Sequence, residues 1–112
     1  MSTDFALSKK VTARDLFGGQ LEKFGVREQV RLDTSERSRS LTDGRNYLRV
    51  YVGDDGFVGC LTRYGATAPE KIINAIAEAF ETEIFSEHQP QFWGFATQEE
   101  WDTAMKMLHD KY

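Results

Sequence analysis

Cysteine is almost absent from this chain of 112 residues, in which Cys60 is the single example. No disulfide can therefore form within the chain. No apolar run approaches the roughly 18 to 20 residues that a membrane-spanning helix needs. The first residues also lack the apolar segment and small-residue cleavage site of a secretory signal peptide. These absences predict a protein of a reducing compartment, the cytoplasm, that does not enter the membrane.

The remaining composition is that of an ordinary globular protein, with 40% hydrophobic and 29% charged residues. The length fits one domain over residues 1–112. Charge is divided along the chain: residues 1–50 hold ten Lys and Arg against seven Asp and Glu, and residues 51–112 hold four against eleven. This asymmetry is typical of self-association between unlike surfaces or of a basic binding face, and ordinary solvated faces also produce it.

Three segments carry the start signals of helices. Thr12 offers a capping hydroxyl before an apolar series at helical spacing, which predicts a helix over 12–24. Gly18-Gly19 interrupts that series, so two short turns meeting at the glycine pair are the alternative. Capping boxes at Thr67–Glu70 and Thr97–Glu100 predict two more helices, the first reaching Phe80.

Period-two segments rich in aromatic and β-branched residues lie between these helices. The clearest form a hairpin around Gly53–Gly56, and shorter candidates precede and follow it. The predicted strands are 26–33, 38–42, 46–52, 57–64, 83–87 and 91–95. The order helix, two or three strands, helix, two strands, helix predicts an α+β fold with three helices on a mainly antiparallel sheet of four to five strands.

Alternation along the hairpin divides its residues between two faces. The face expected to meet the core carries Leu48, Val50, Val52, Phe57, Gly59 and Leu61. The opposite face alternates arginine and tyrosine and carries Arg45, Tyr47, Arg49, Tyr51, Val58, Cys60, Thr62 and Tyr64. We call this second set the Arg/Tyr face.

Three interpretations of the Arg/Tyr face remain open. The first helix covers it and half-buries the tyrosines. Alternatively, it stays open and binds a protein partner or a second copy of the chain, since Tyr and Arg are enriched at interfaces. The interface residues would then be Arg37, Arg39, Arg45, Tyr47, Arg49, Tyr51 and Tyr64, with Trp93 as a further anchor. Finally, single-stranded nucleic acid stacks on Tyr47, Tyr51 or Tyr64, which an isoelectric point near 5.2 disfavours.

Catalytic signals are weak. Cys60 in a strand is expected to be an inert small hydrophobe, and His88 beside Glu83 and Glu87 is the best position for acid–base chemistry. No spacing of ligands predicts a metal or a cofactor. In a strand over 91–95, Phe92 and Gly94 face one way and Trp93 and Phe95 the other, so one pair is expected to complete the core and the other to meet the last helix or solvent. The sequence therefore predicts a non-catalytic protein-binding module that self-associates, with nucleic-acid binding and then a small enzyme using His88 as the alternatives.

Overall fold

The computed structural model describes residues 2–111, which form an antiparallel sheet of six strands. The strands are β1 (Ser2–Leu7), β2 (Arg27–Gln29), β3 (Ser38–Thr42), β4 (Tyr47–Val52), β5 (Val58–Tyr64) and β6 (Ile84–Ser86). Their spatial order is β2-β3-β4-β5-β1-β6. The predicted α+β class is confirmed, and the sheet has one strand more than the four to five expected.

The extra strand is β1, which the sequence analysis missed. Its residues pair with β5 through Asp4 opposite Thr62 and with β6 through Leu7 opposite Ile84. A six-residue segment with little β-branched character becomes a strand because two distant strands supply its hydrogen bonds. No local pattern in the sequence reports that pairing.

Within residues 2–111 the α-helices are α1 (Ala13–Leu16), α2 (Glu70–Phe80) and α3 (Gln98–Lys111). A continuous helix over 12–24 is wrong: α1 ends before the glycine pair, Gly19 has a φ of 100°, and a separate 3-10 turn covers Glu22–Phe24. Two glycines cost a helix about 1 kcal/mol each relative to alanine, which explains the break. α2 begins at Glu70 without a side-chain cap, since the amide of Ala68 donates to Asn46 Oδ1 at 3.0 Å and ties the preceding segment to the β3–β4 turn.

The strand predicted at 91–95 is also wrong. Pro90 opens a 3-10 turn over Pro90–Trp93, and Gly94 ends it with a φ of 89°. Proline has no amide hydrogen for a strand ladder, and its fixed φ suits the first position of a helical turn. The aromatic side chains of this segment therefore leave the sheet.

The core lies on one face of the sheet. Leu16 and Leu21 from the α1 region and Ile72 and Ile76 from α2 belong to the same buried cluster as Leu48 of β4. Both helical segments thus pack on the same side. The interpretation in which the first helix covers the Arg/Tyr face is wrong, because α1 lies beneath the opposite face.

A β-bulge changes the predicted faces near the hairpin turn. Tyr51 pairs with Cys60, but Val52 pairs with Val58, so Gly59 is an extra residue on β5. The extra residue reverses the alternation beyond it. Val58 therefore packs against the core, whereas the sequence assigned that place to Phe57 and Gly59. The core positions of Leu48, Val50 and Leu61 are confirmed.

Two leucine truncations test this division of faces. Leu48 is 0% exposed and Leu32, in the β2–β3 connection, is fully exposed. Leu48→Ala should lower the free energy of unfolding by about 2–5 kcal/mol through lost burial and a cavity. Leu32→Ala should change it by less than about 0.5 kcal/mol. Urea denaturation followed by circular dichroism measures both, and equal losses would contradict the assigned core.

Candidate functional site

The sheet face opposite the core carries a buried polar layer. The register places Ser40 of β3, Arg49 of β4 and Thr62 of β5 side by side. All three are buried, although no helix of the described chain lies over them. Buried polar groups need partners, and a buried charge needs an opposite charge. Arg49 finds its partners in the β2–β3 connection, residues 30–37, and Thr62 finds one in Asp4 of β1, whereas Ser40 Oγ has no hydrogen-bond partner among the described residues.

Arg49 is the centre of this layer. Its Nη1 donates to Ser38 Oγ at 3.0 Å and to the Ser38 carbonyl oxygen at 3.4 Å, and its Nη2 donates to the carboxylate of Asp33. Desolvation raises the pKa of the Asp33 carboxyl, but the hydrogen bond and charge of Arg49 outweigh it, so the pKa lies below its ordinary value. Asp33 is therefore held as the anion that the buried guanidinium requires.

The tyrosines of the Arg/Tyr face surround this ion pair. The guanidinium carbon of Arg31 lies 4.4 Å from the centre of the Tyr47 ring, in a cation–π contact. The hydroxyl groups of Tyr51 and Tyr64 are hydrogen-bonded to each other. That bond, with a smaller contribution from desolvation, raises the pKa of Tyr51 to about 12.

These side chains enclose a concavity of about 440 Å³, which we call the tyrosine pocket. It is lined by Arg31, Asp33, Ser38, Tyr47, Arg49, Tyr51 and Tyr64. Four of the residues predicted for an interface therefore meet at one site. Asp33 was not predicted because it lies 16 positions from Arg49 in an irregular segment. The one indication in the sequence was that an arginine buried in a strand needs an anion as its partner.

The other predicted interface residues lie elsewhere. Arg39 is on the core side of the sheet, where it binds Glu28 through two hydrogen bonds of 2.7 and 2.8 Å. Its guanidinium carbon also lies 3.8 Å from the centre of the Phe17 ring. Arg37 forms an exposed ion pair with Asp54, and Arg45 is in the β3–β4 turn. These arginines do not join the tyrosine pocket.

Cys60 lies on the same face, toward β1. Its pKa is raised by burial, so its sulfur is held as the thiol. A thiol is a poor nucleophile compared with a thiolate. The neighbouring Thr62 hydroxyl donates to Asp4 Oδ1 at 2.8 Å, which links β5 to β1.

A second concavity lies in the C-terminal segment, between the 3-10 turn and α3. This tryptophan groove has a volume of about 620 Å³ and is lined by Glu87, His88, Trp93, Phe95, Trp101 and Met105. Trp93 is 58% exposed, and its indole Nε1 donates to the Glu87 carbonyl oxygen at 2.9 Å. His88 lies at the groove beside Glu87, and no hydrogen bond joins their side chains among the described residues. The expectation that one pair of this segment completes the core is wrong, because no described residue after Ile84 belongs to the core cluster, whereas Trp93 and Phe95 line a groove with Trp101 and Met105 of α3.

α3 carries an apolar stripe that is half-buried at Trp101, Ala104 and Met105 and exposed at Leu108. Trp101, Ala104, Met105 and Leu108 recur at the helical spacing that predicted this helix. The amide of Glu100 donates to Thr97 Oγ1 at 3.1 Å, so Thr97 caps the helix as the sequence predicts. Even so, no residue of Gln98–Lys111 is buried. A further groove, of about 650 Å³, runs along its other flank and includes Phe95, Ala104 and Met107.

Metal and membrane sites are not found in residues 2–111. This part of the chain holds no group of three or more His, Cys, Asp or Glu side chains arranged to bind a metal ion. Its helices also include none long and apolar enough to cross a bilayer.

No family model, curated protein or solved structure matches this chain.

Asp33→Asn should destabilise the protein at neutral pH and progressively less in acid. The pKa of Asp33 is lowered by folding from an ordinary value of 3.8. Its stabilising effect is complete above that value and is lost as the pH falls through the lower pKa of the folded state. Urea denaturation at several pH values measures the difference from the wild type. Asp54→Asn, at an exposed ion pair, is the control, and a difference that does not shrink in acid would contradict the assignment.

Tyr64→Phe should lower the pKa of Tyr51 from about 12 toward its ordinary value of 10.0, since the phenol hydrogen bond to Tyr64 is the main cause of the shift. Tyr47→Phe, which leaves that bond intact, should not. Carbon-13 NMR of the tyrosine Cζ nuclei across an alkaline titration separates the residues. An unchanged Tyr51 pKa in Tyr64→Phe would show that the two hydroxyls are not bonded in solution.

Proposed function

We propose that this protein is a small, non-catalytic protein-binding module of the cytoplasm that associates with a second copy of itself through α3. The observation that carries the proposal is the apolar stripe of α3, which the folded chain leaves only half-buried at Trp101, Ala104 and Met105 and exposed at Leu108. The single free cysteine agrees with a reducing compartment.

The core is complete before the C-terminal segment begins. Its buried members and the hydrophobic residues packed against them run from Phe5 to Ile84. The aromatic and aliphatic side chains that follow Ile84 contribute nothing to that cluster. The molecule is also elongated, with extents of 47 × 27 × 27 Å and a radius of gyration of 15.4 Å. A compact domain of about 100 residues has a radius near 13 Å.

Exposed apolar surface of this kind marks binding sites in soluble proteins. Leu108, in the stripe, is 48% exposed, and Trp93, which shares the tryptophan groove with Trp101 and Met105, is 58% exposed. Tryptophan is among the residues that most often dominate interface energetics. The two grooves flanking α3 supply hollows into which the side chains of a second helix can pack.

The charges along α3 favour a second copy in the antiparallel direction. Acidic residues lie in the first turn and His109 and Lys111 in the last. When two α3 helices cross about a two-fold axis near Met105, Glu100 of one lies opposite Lys111 of the other, and Asp102 lies opposite His109. A single alignment of the two helices forms both pairs, one on each flank of the stripe. The two helix dipoles then point in opposite directions, which is the favourable arrangement. Two-fold dimers are the commonest oligomers of soluble proteins.

A charged substitution within the stripe tests the proposal. Leu108→Glu should raise the dimer dissociation constant by at least about tenfold, because it brings carboxylates into the apolar contact. Lys106→Glu is the control, since it makes the charge more negative on the side of α3 that faces away from the stripe and that lines neither groove. Sedimentation equilibrium over a range of concentrations measures both variants. A wild-type chain that stays at 12.8 kDa throughout, or two variants that behave alike, would refute the proposed dimer.

A charge exchange distinguishes a second copy from another protein as the occupant. Glu100→Lys and Lys111→Glu should each weaken the dimer, and the double variant should recover much of the loss, because the pair is re-formed in the opposite sense. Salt should reduce all of these differences. No recovery in the double variant would exclude the antiparallel register.

A further inference from the structure

The ion pair in the tyrosine pocket is strongly asymmetric. The Arg49 side chain is 6% exposed and the Asp33 side chain 60% exposed. The guanidinium thus belongs to the rigid sheet, where Ser38 of the neighbouring strand holds one of its nitrogens. The carboxylate belongs to a surface connection. The partner that neutralises the buried charge can therefore leave while the guanidinium stays in place.

The connection that carries Asp33 exposes apolar side chains that the fold does not use. Val30 and Leu32 lie on either side of Arg31, and both are exposed. The connection is tied internally by the Thr34 hydroxyl, which donates to the Arg31 carbonyl oxygen at 2.8 Å. Its side chains meet the polar face through Arg31 and Asp33. Leu32 and Asp33 thus place an apolar side chain directly beside a carboxylate, and that carboxylate occupies the basic pocket. A short peptide with the same two residue types could bind in the same way.

We propose that the tyrosine pocket is a docking site for an acidic side chain of a protein partner, and that Asp33 is an internal substitute for that side chain. The partner segment carries an aspartate or glutamate next to an apolar residue. Its carboxylate replaces Asp33 on Arg49, and its apolar residue covers the exposed Leu32. The site is separate from α3, since the pocket lies across β3–β5 and α3 follows the edge strand β6.

The charge of the pocket selects for such a ligand. Arg31 and Arg49 bring two positive charges and Asp33 one negative charge, so a carboxylate is attracted even before Asp33 moves away. Arginine–carboxylate hydrogen bonds are charge-assisted and stronger than neutral ones. Hydroxyl groups of Ser38, Tyr51 and Tyr64 line the same concavity and add polar partners.

An internal substitute lowers the apparent affinity for the external ligand. When only a fraction of the molecules has an open pocket, the measured dissociation constant is the intrinsic one divided by that fraction. Removing the Asp33 carboxylate should therefore strengthen binding of a free carboxylate. A pocket in which Asp33 serves only to stabilise the fold would show no such gain.

The experiment compares Asp33→Ala with Asp54→Ala, which removes an equally charged, exposed carboxylate from the neighbouring ion pair with Arg37. The probe is acetyl-Leu-Asp-amide, titrated into the labelled full chain and followed through the amide signals of Ser38 and Tyr51. Asp33→Ala should bind the probe at least about tenfold more tightly than the wild type, and Asp54→Ala should match the wild type. Asp33→Asn, which keeps the shape of the side chain, is a second variant expected to bind more tightly than the wild type.

Three results would overturn the proposal. One is equal affinity of Asp33→Ala and Asp54→Ala for the probe. Another is equal binding of the neutral probe acetyl-Leu-Asn-amide to Asp33→Ala, which would show that the carboxylate is not recognised. The last is tighter binding of inorganic phosphate than of the probe, which would make the pocket a general oxyanion site. None of these results depends on the oligomeric state, so they leave the association through α3 to be judged separately.

Discussion

The one-sided cover of the sheet is the constraint on which the rest of this structure depends. Six strands present two faces, and both helical segments that reach the core, α1 and α2, lie on the same one. The other face therefore carries polar side chains, and those that are buried need hydrogen-bond or charge partners from outside the helices. Arg49 lies at its centre with Ser40 and Thr62 on the neighbouring strands, and Asp33 of the β2–β3 connection binds its guanidinium. The ion pair of Arg49 with Asp33 follows from this arrangement, because a connection without regular structure cannot bury a guanidinium unless it brings an anion with it.

The same constraint accounts for the C-terminal segment. α1 and α2 cover the apolar face, and the core cluster that they form with the sheet includes none of the described aromatic residues that follow Ile84. α3 forms because its local signals are good: Thr97 caps its first turn, and acidic residues lie at the positive end of its dipole. Local signals stabilise a helix only modestly, and most helical stability in proteins comes from packing of the apolar face. A helix whose apolar stripe is only half-buried is therefore the element that the proposed association through α3 would stabilise.

The sequence predicts those elements whose cause is local. The turn at Gly53–Gly56, the strands on either side of it, and α3 each follow from signals within a few residues. The failures have two physical causes: the helix over 12–24 and the strand over 91–95 are broken by local groups, the glycine pair and Pro90, whereas the missed strand and bulge depend on distant groups. β1 is a strand because β5 and β6 pair with it, and the bulge at Gly59 appears only when β4 and β5 are aligned. The residues of the tyrosine pocket also fall into a locally predictable set and a set that depends on distant groups. Alternation places Tyr47, Arg49 and Tyr51 on one face, but only the folded connection brings Asp33 to them.

The uneven charge of the chain can be weighed against the two proposed surfaces. Arg31 and Arg49 of the tyrosine pocket belong to the basic half of the sequence, and α3 belongs to the acidic half. If the acidic first turn of α3 bound the tyrosine pocket of the next molecule, one pocket and one helix would stay free at the two ends of the assembly. Such head-to-tail contacts add further molecules and do not form a closed dimer. Asp33 opposes that outcome, since it neutralises Arg49 from within the same molecule. In the proposed two-fold dimer the acidic turn faces the basic turn of the second α3. Association then closes at two copies, and both pockets remain accessible to a different partner.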